Sequence, residues 1–300
     1  MNLIDLGLHS TILEDNIKNS GFATGRIISV NKESYNISDG KNEYFGRITG
    51  NMMYSSESPE DYPTVGDFVQ FQNFENDTLA IIHKILPRKT LLKRKSSGKN
   101  VEFQLIAANI DFAIIIQSLD NDFNINRLER YLSMSFEFNI EPIILFSKSD
   151  LAADYKIEEI LNKIRDNYKN IEILFFSNFD EDSLAKIEQK LQPRKTYCMI
   201  GSSGVGKTTL LNNLIGSNEF KTNDVRKGDN RGKHTTTNRQ LVVLKNGSMI
   251  IDTPGMRELA NISISDGIEK TFDEITELAE NCKYTDCTHT VEKGCAILEA

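Results

Sequence analysis

The chain has 300 residues, 39% of them apolar and 26% charged, with a formal net charge of −8. This length allows two domains or one large domain with a small module, and the composition excludes a long low-complexity or disordered chain. The acidic total excludes a uniformly basic nucleic-acid coat. The opening MNLIDLGLHSTILED lacks a basic stretch followed by an apolar one, so no secretory signal is read there, and runs such as FAIII and EPIILF are too short to span a bilayer. A soluble cytoplasmic chain with no membrane partner is expected.

From Gly21 to Leu86 the pattern is one of short alternating strands: FATGRIISV, SYNIS, EYFGRIT, DFVQFQ and TLAIIHKI. Asp39-Gly40 is a hairpin turn signal between two of them. These strands suit a small closed barrel such as an OB-fold. A small β-sandwich meets the same pattern, so the two stay open. A basic run follows, with Lys84, Arg88, Lys89, Lys93, Arg94, Lys95 and Lys99 and no acid among them; a second, Arg226 to Arg239, adds Lys227, Arg231 and Lys233 against Asp229 alone. Such runs fit either a solvated face or a salt-sensitive contact with RNA phosphates.

The next part alternates strand and helix. IDFAIIIQS and EPIILFSKSD read as buried parallel strands, and between them NINRLERYLSMSFEF sets Leu128, Tyr131, Leu132 and Ser135 on one helical face. KIEEILNKIRDNY is a second helix, IEILFFS a strand, DEDSLAKIEQKL a helix, TYCMI a strand, and TTLLNNLIG a helix. The alternation implies a doubly wound α/β sheet.

GSSGVGKTT, between TYCMI and that last helix, is a phosphate loop in its proper context: Gly201, Ser202, Ser203, Gly204, Val205, Gly206, Lys207, Thr208 and Thr209. The glycines let backbone N–H groups approach phosphate oxygens, and the helix N-terminus favours negative charge. Lys207 is expected to reach the β- and γ-phosphates, and the Thr208 hydroxyl to ligate Mg²⁺. Downstream, MIIDTPGM ends a strand in Asp252, the expected partner of that ion. Asp252-Thr253-Pro254-Gly255 is a GTPase switch pattern. In KGDNRGKHTTT, one of Thr235, Thr236 and Thr237 should close over Mg²⁺, and Thr236 is the choice.

No base-reading motif follows Asp252, but LFSKSDL stands upstream, at the end of a buried strand. It matches the [Asn/Thr/Ser]-Lys-x-Asp pattern that reads guanine through Ser147, Lys148, Ser149 and Asp150. Asp150 would accept from the guanine N1 and N2 donors, Lys148 would cover the base plane, and a buried Asp150 left unpaired by adenine would give selectivity. Ser177 and Asn178 in LFFSNFD stand at the second base loop. The base reader therefore precedes the phosphate loop, and the domain is circularly permuted.

Met256 follows DTPG where self-sufficient GTPases often place a water-orienting Gln. Slow turnover alone is expected, with acceleration when a partner orders the switch. His234 is the internal candidate to place the water; an RNA-facing or exposed His reads equally well. Cys282, Cys287, His289 and Cys295 offer three thiolates and an imidazole, the donor set of a closed structural Zn²⁺ site. Cys198 is expected to be plain core.

These motifs, with AANIDFAII and RLERYL, resemble the ribosome small subunit-dependent GTPase A family over nearly the whole chain. The resemblance implies an OB-fold, a GTPase domain and a zinc finger that act in late maturation of the small (30S) ribosomal subunit, binding it and its rRNA. It also implies that GTP hydrolysis to GDP helps the factor leave. The expected architecture is multidomain α/β: an N-terminal OB-fold barrel at 1–90, a circularly permuted phosphate-loop GTPase domain with a doubly wound sheet at 91–261, and a zinc-binding helical module at 262–300. A monomer is expected. Ser147 departs from the common Asn and loses an amide contact, Asn178 stands where Ala is common, and family members usually continue past position 300. A phosphate-loop ATPase or kinase, and an RNA-binding switch with little turnover, are the rival readings.

Overall fold

The structure is a computed structural model that describes residues 1–8, 21–31, 34–74, 79–95, 103–120, 122–151, 154–168, 170–217, 239–252, 281–283 and 294–299. The first strands are β1 (Ala23–Asn31), β2 (Ser34–Ser38), β3 (Glu43–Ile48), β4 (Phe68–Phe74) and β5 (Leu79–Ile85), with helix α1 (Gly50–Ser55) between β3 and β4. They pair in the order β1-β2-β3-β5-β4, and β4 returns to β1, so the sheet closes on itself. β3 and β5 run parallel while the other pairs are antiparallel. This is a closed five-stranded barrel of OB type, which removes the sandwich alternative. Alternation decides its contents: Ile27, Tyr35, Ile37, Tyr44, Val69, Phe71 and Ile82 point inward as one core.

Next comes an antiparallel hairpin, β6 (Leu91–Lys95) with β7 (Phe103–Ala108). The sequence reading left this stretch as a basic run. The run lacks acids of its own but meets acids from elsewhere. Arg88 forms a bidentate pair with Asp67 at 2.8 Å, Lys89 reaches Asp111 at 2.7 Å, and Lys93 reaches Glu60 at 2.5 Å while lying over the Phe103 ring. These three cations are structural first.

The α/β part comprises β8 (Phe112–Ser118), α2 (Ile125–Glu137), β9 (Glu141–Ser147), α3 (Asp154–Asn167), β10 (Glu172–Phe175), α4 (Glu181–Lys190), β11 (Thr196–Ile200) and α5 (Lys207–Ile215). It ends with β12 (Arg239–Val243) and β13 (Met249–Asp252); a further helical turn, α6 (Ala296–Glu299), lies near the C-terminus. The sheet order is β10-β9-β8-β11-β13-β12, parallel except for the antiparallel β12–β13 pair. Helices cover both faces, which is why β8 and β9 carry unbroken apolar runs, Phe112–Ile116 and Pro142–Phe146, rather than alternate apolar positions. Ala113, Ile115, Ile144 and Phe146 face Leu128, Tyr131, Leu132 and Ile164 on one side. Ile114, Ile116, Ile143 and Leu145 face Ile187, Leu210 and Leu211 on the other. Cys198 is fully buried in the first of these cores.

β12 also pairs with β1, through Ser29↔Gln240 and Val30↔Arg239, so barrel and α/β sheet form one continuous ribbon of strands. The seam beside it is held by Arg26, which is 1% exposed. Its guanidinium donates to the carbonyls of Leu6 (2.7 Å), Gly66 (3.1 Å) and Asn109 (3.2 Å), and Asn109 Nδ2 also donates to Gly66 (3.0 Å). Leu6 and Leu8 are buried, so the first eight residues form a packed part of the seam. No helix among the described residues is long and apolar enough to cross a membrane.

Gly66 has φ +91°, and a Cβ there would lie 2.1 Å from the Ala108 carbonyl oxygen, a backbone atom that cannot step aside. Gly66→Ala is expected to cost about 2–4 kcal/mol. Urea unfolding should show a lower midpoint with an unchanged slope; an unaltered midpoint would mean that the seam yields.

Candidate nucleotide site

In a doubly wound sheet the binding crevice opens beyond the carboxyl ends of the strands, where strand order reverses. Here the chain runs outward from β8 through β9 to β10, then returns to place β11 on the other side of β8. The crevice therefore lies between β8 and β11, and the phosphate loop leaves β11 directly into it. Ser118, Ser147, Phe175 and Asp252 end their strands at the same edge.

The loop is shaped for close approach. Gly206 sits at φ +96° and caps α5, and a Cβ there would lie 2.5 Å from Asn178 Nδ2. Lys207 Nζ donates to the Gly201 and Ser202 carbonyls at 2.7 Å each, which folds its ammonium over the loop. Thr208 follows on α5, and Asp252, 6% exposed, ends β13 beside β11. A helix N-terminus, a lysine over the loop, a hydroxyl and a buried carboxylate form a donor set that fits a nucleotide phosphate chain with Mg²⁺.

The residues expected to read the base come to the same place from two strand ends. Ser147 is fully buried, and its Oγ donates to the Val205 carbonyl at 2.7 Å, 58 residues away in sequence. The hydroxyl thus bonds the phosphate loop directly. Asn178 Nδ2 donates to the next carbonyl, Gly206, at 3.4 Å, and Asn213 Nδ2 on α5 donates to the Asn178 carbonyl at 3.1 Å. Both departures from the common pattern therefore grip neighbouring carbonyls of the phosphate loop. Ser177, 4% exposed, is held from α4: its N–H donates to Ser183 Oγ at 3.2 Å. Asp180 caps that helix through the Asp182 and Ser183 N–H groups.

One expectation needs correction. Asp150 lies exposed in a short 3-10 turn at Ser149–Leu151, because the chain turns outward at Lys148, whose φ is +57°. The burial expected for its carboxylate is therefore not preformed.

Sequence reasoning passed over the turn after β8. Asp120 Oδ2 accepts from Lys148 Nζ at 2.6 Å, and Asp122 Oδ2 accepts from Ser202 Oγ and Arg127 Nη2 at 2.9 Å each. The available signal was an aspartate two residues past a buried strand, at the sheet edge where ligands bind. His234, Thr235, Thr236, Thr237, Thr253, Pro254, Gly255 and Met256 lie outside the described residues, as do Cys287 and His289. Among the described residues no group of three or more His, Cys, Asp or Glu could hold a metal ion. Cys282 and Cys295 are described, and their sulfurs are 3.9 Å apart.

The surroundings of this site match known proteins. Residues 85–261 fit the model of the RsgA GTPase family. The whole chain is 39% identical to the small ribosomal subunit biogenesis GTPase RsgA 2 of Lactiplantibacillus plantarum, spanning 84% of that protein. The fold is similar to YloQ, a circularly permuted GTPase, with TM-score 0.63, 25% identity and coverage of 94% of this chain and 89% of that one. It is also similar to YjeQ from Thermotoga maritima, with TM-score 0.66, 21% identity and coverage of 92% and 90%.

Ser147→Ala removes the side-chain bond that ties the end of β9 to the Val205 carbonyl. GDP affinity is expected to fall about 5- to 10-fold, read by calorimetric titration; a change within twofold would show that the grip on the loop does not matter for binding.

Proposed function

Because this chain belongs to the RsgA GTPase family, it hydrolyses GTP, and we propose that it does so while bound to the small ribosomal subunit during that particle's late maturation. The observation that carries this reading is the match over the full 300 residues, barrel included, to a protein whose name is small ribosomal subunit biogenesis GTPase. A nucleotide switch shared with many GTPases would match over the α/β part alone.

In this reading the chain divides into an OB-fold barrel at 1–90, the GTPase domain at 91–261 and a zinc module at 262–300. The loop 201–209 holds the phosphates, with Lys207 against the β- and γ-oxygens. Ser147, Lys148, Asp150 and Ser177 select guanine. Thr208, Thr236 and Asp252 are the residues that would hold Mg²⁺, which supplies neutralising charge to the phosphates when bound. His234 helps to place the attacking water. Met256 cannot orient water or accept a proton, so turnover is slow until a partner orders the switch. Intact Lys207, Thr208 and Asp252 count against an inactive switch. The Ser-Lys-x-Asp strand end, fixed to the phosphate loop by Ser147, counts against an ATPase.

For the C-terminal module the reading is a structural Zn²⁺ held by Cys282, Cys287, His289 and Cys295. Two thiolates bound tetrahedrally at ~2.3 Å stand ~3.8 Å apart, and the Cys282 and Cys295 sulfurs are separated by 3.9 Å. The Lys283 N–H also donates to the Gly294 carbonyl at 3.0 Å, which brings Cys282 and Cys295 together. Purified protein is expected to carry one zinc per chain by elemental analysis, and Cys295→Ser to lose it; stoichiometric zinc retained in that variant would remove Cys295 from the ligand set.

The deciding assay is GTP hydrolysis at fixed salt with and without purified small subunits, with ATP as control. A GTP-specific stimulation of about tenfold or more is expected, toward the ~10³–10⁵ that partner-supplied groups can give. Equal rates with and without subunits would overturn the ribosomal reading while leaving the GTPase intact.

A further inference from the structure

The turn that follows β8 touches both halves of the proposed nucleotide site, yet no part of the phosphate-loop or guanine-reading patterns includes it. Asp120 sits two residues beyond Ser118. Its Oδ1 accepts from the Ser118 hydroxyl at 2.7 Å and from the Asp122 N–H at 2.9 Å, and its Oδ2 accepts from Lys148 Nζ at 2.6 Å. The carboxylate is thus aimed by its own turn, with one oxygen committed to the loop and the other to the lysine.

Lys148 needs such a partner. Its backbone is in the left-handed region, at φ +57°, a conformation that costs a non-glycine residue about 1 kcal/mol or more and persists only where the surroundings impose it. A lysine side chain has four rotatable bonds and about 2 kcal/mol of rotamer entropy to lose on being fixed. An ammonium that must lie over a base plane gains from being ordered before the base arrives.

We propose that Asp120 is a positioning residue for guanine recognition: it holds the ammonium of Lys148 in place, and so acts on the base through that lysine without touching the nucleotide. The inference rests on the reading of Lys148 as a base-covering residue. A purely stabilising role explains the pair poorly. The two side chains are 33% and 31% exposed, and ion pairs that solvent reaches contribute little to stability. Burial tends to raise the Asp120 carboxyl, but the Lys148 contact, the Asp122 N–H and the Ser118 hydroxyl outweigh it and hold the group at about 2. The carboxylate is therefore the anion at neutral pH. From the same turn, Asp122 holds Ser202 of the phosphate loop at 2.9 Å.

The test is a double-mutant cycle on the full chain, with GDP and inorganic pyrophosphate as probes and thermal melting to confirm folding. Asp120→Asn keeps the shape and removes the charge. It is expected to weaken GDP about tenfold and to leave pyrophosphate within twofold. Asp120→Glu should recover most of the loss. Lys148→Ala should weaken GDP at least as much, and the double variant should be no worse than Lys148→Ala alone, since the two act as one unit. The proposal is overturned if Asp120→Asn binds GDP normally, if the two losses multiply, or if pyrophosphate binding falls in step with GDP. Normal GDP binding by Lys148→Ala overturns it as well, and locates the failure in the reading of the base site rather than in Asp120.

Discussion

The arrangement depends on one buried cation. Arg26 lies on β1 where the barrel, the first eight residues and the α/β sheet meet, and burial there is expensive for a charge. Desolvation pushes its guanidinium down to about 10, against the pull of Asp111 and Asp67, so it remains the charged form at neutral pH. What offsets the cost is complete use of the fork: three carbonyls from three separate chain segments, with the Phe68 ring beneath the cation at 5.0 Å. The Gly66 carbonyl is shared with Asn109 Nδ2, which ties the two segments together at the same point. The arginine and the three segments therefore specify one another, and the barrel has one way to sit.

On the far side of the α/β sheet the same economy recurs without charge burial. The phosphate loop has little side-chain bulk of its own, and its shape is imposed by neighbours: Ser147 on Val205, Asn178 on Gly206 and Asp122 on Ser202. These residues come from the ends of β9 and β10 and from the turn after β8. Circular permutation leaves this convergence untouched, because a parallel sheet gathers its carboxyl ends at one edge whatever the order of the strands along the chain. The order changes only which loops are covalently continuous.

Much of this was legible in the sequence. The barrel strands and the alternation of β8 to β11 with their helices follow from apolar period, and TYCMI stands as β11 at Thr196–Ile200. Leu128, Tyr131, Leu132 and Ser135 share the buried face read from their spacing. What escaped was set by long-range pairing rather than local pattern. Leu91–Lys95 looked like a basic run because Glu60, the acid that answers Lys93, is far away in sequence, and its three consecutive cations hid a hairpin arm that pairs with the nearby strand Phe103–Ala108. Asp120 carries no motif of its own; its meaning comes from Lys148, 28 residues on. Closure of the barrel could be suspected but not distinguished from a sandwich, since only the β4–β1 pairing decides it. The burial expected for Asp150 failed because a strand-end motif fixes residue types and not the outward turn at Lys148.

The join between β1 and β12 has a mechanical meaning. β12 begins one residue after the KGDNRGKHTTT segment, and its hairpin partner β13 ends at Asp252, where DTPG starts. The barrel is thus hydrogen-bonded, through Ser29↔Gln240 and Val30↔Arg239, to the short hairpin that stands between the two segments proposed as nucleotide switches. A tilt of the barrel against the sheet has to break those two residue pairs or drag the hairpin along. The join runs through main-chain hydrogen bonds, so side chains on the barrel's outer surface can change without altering it.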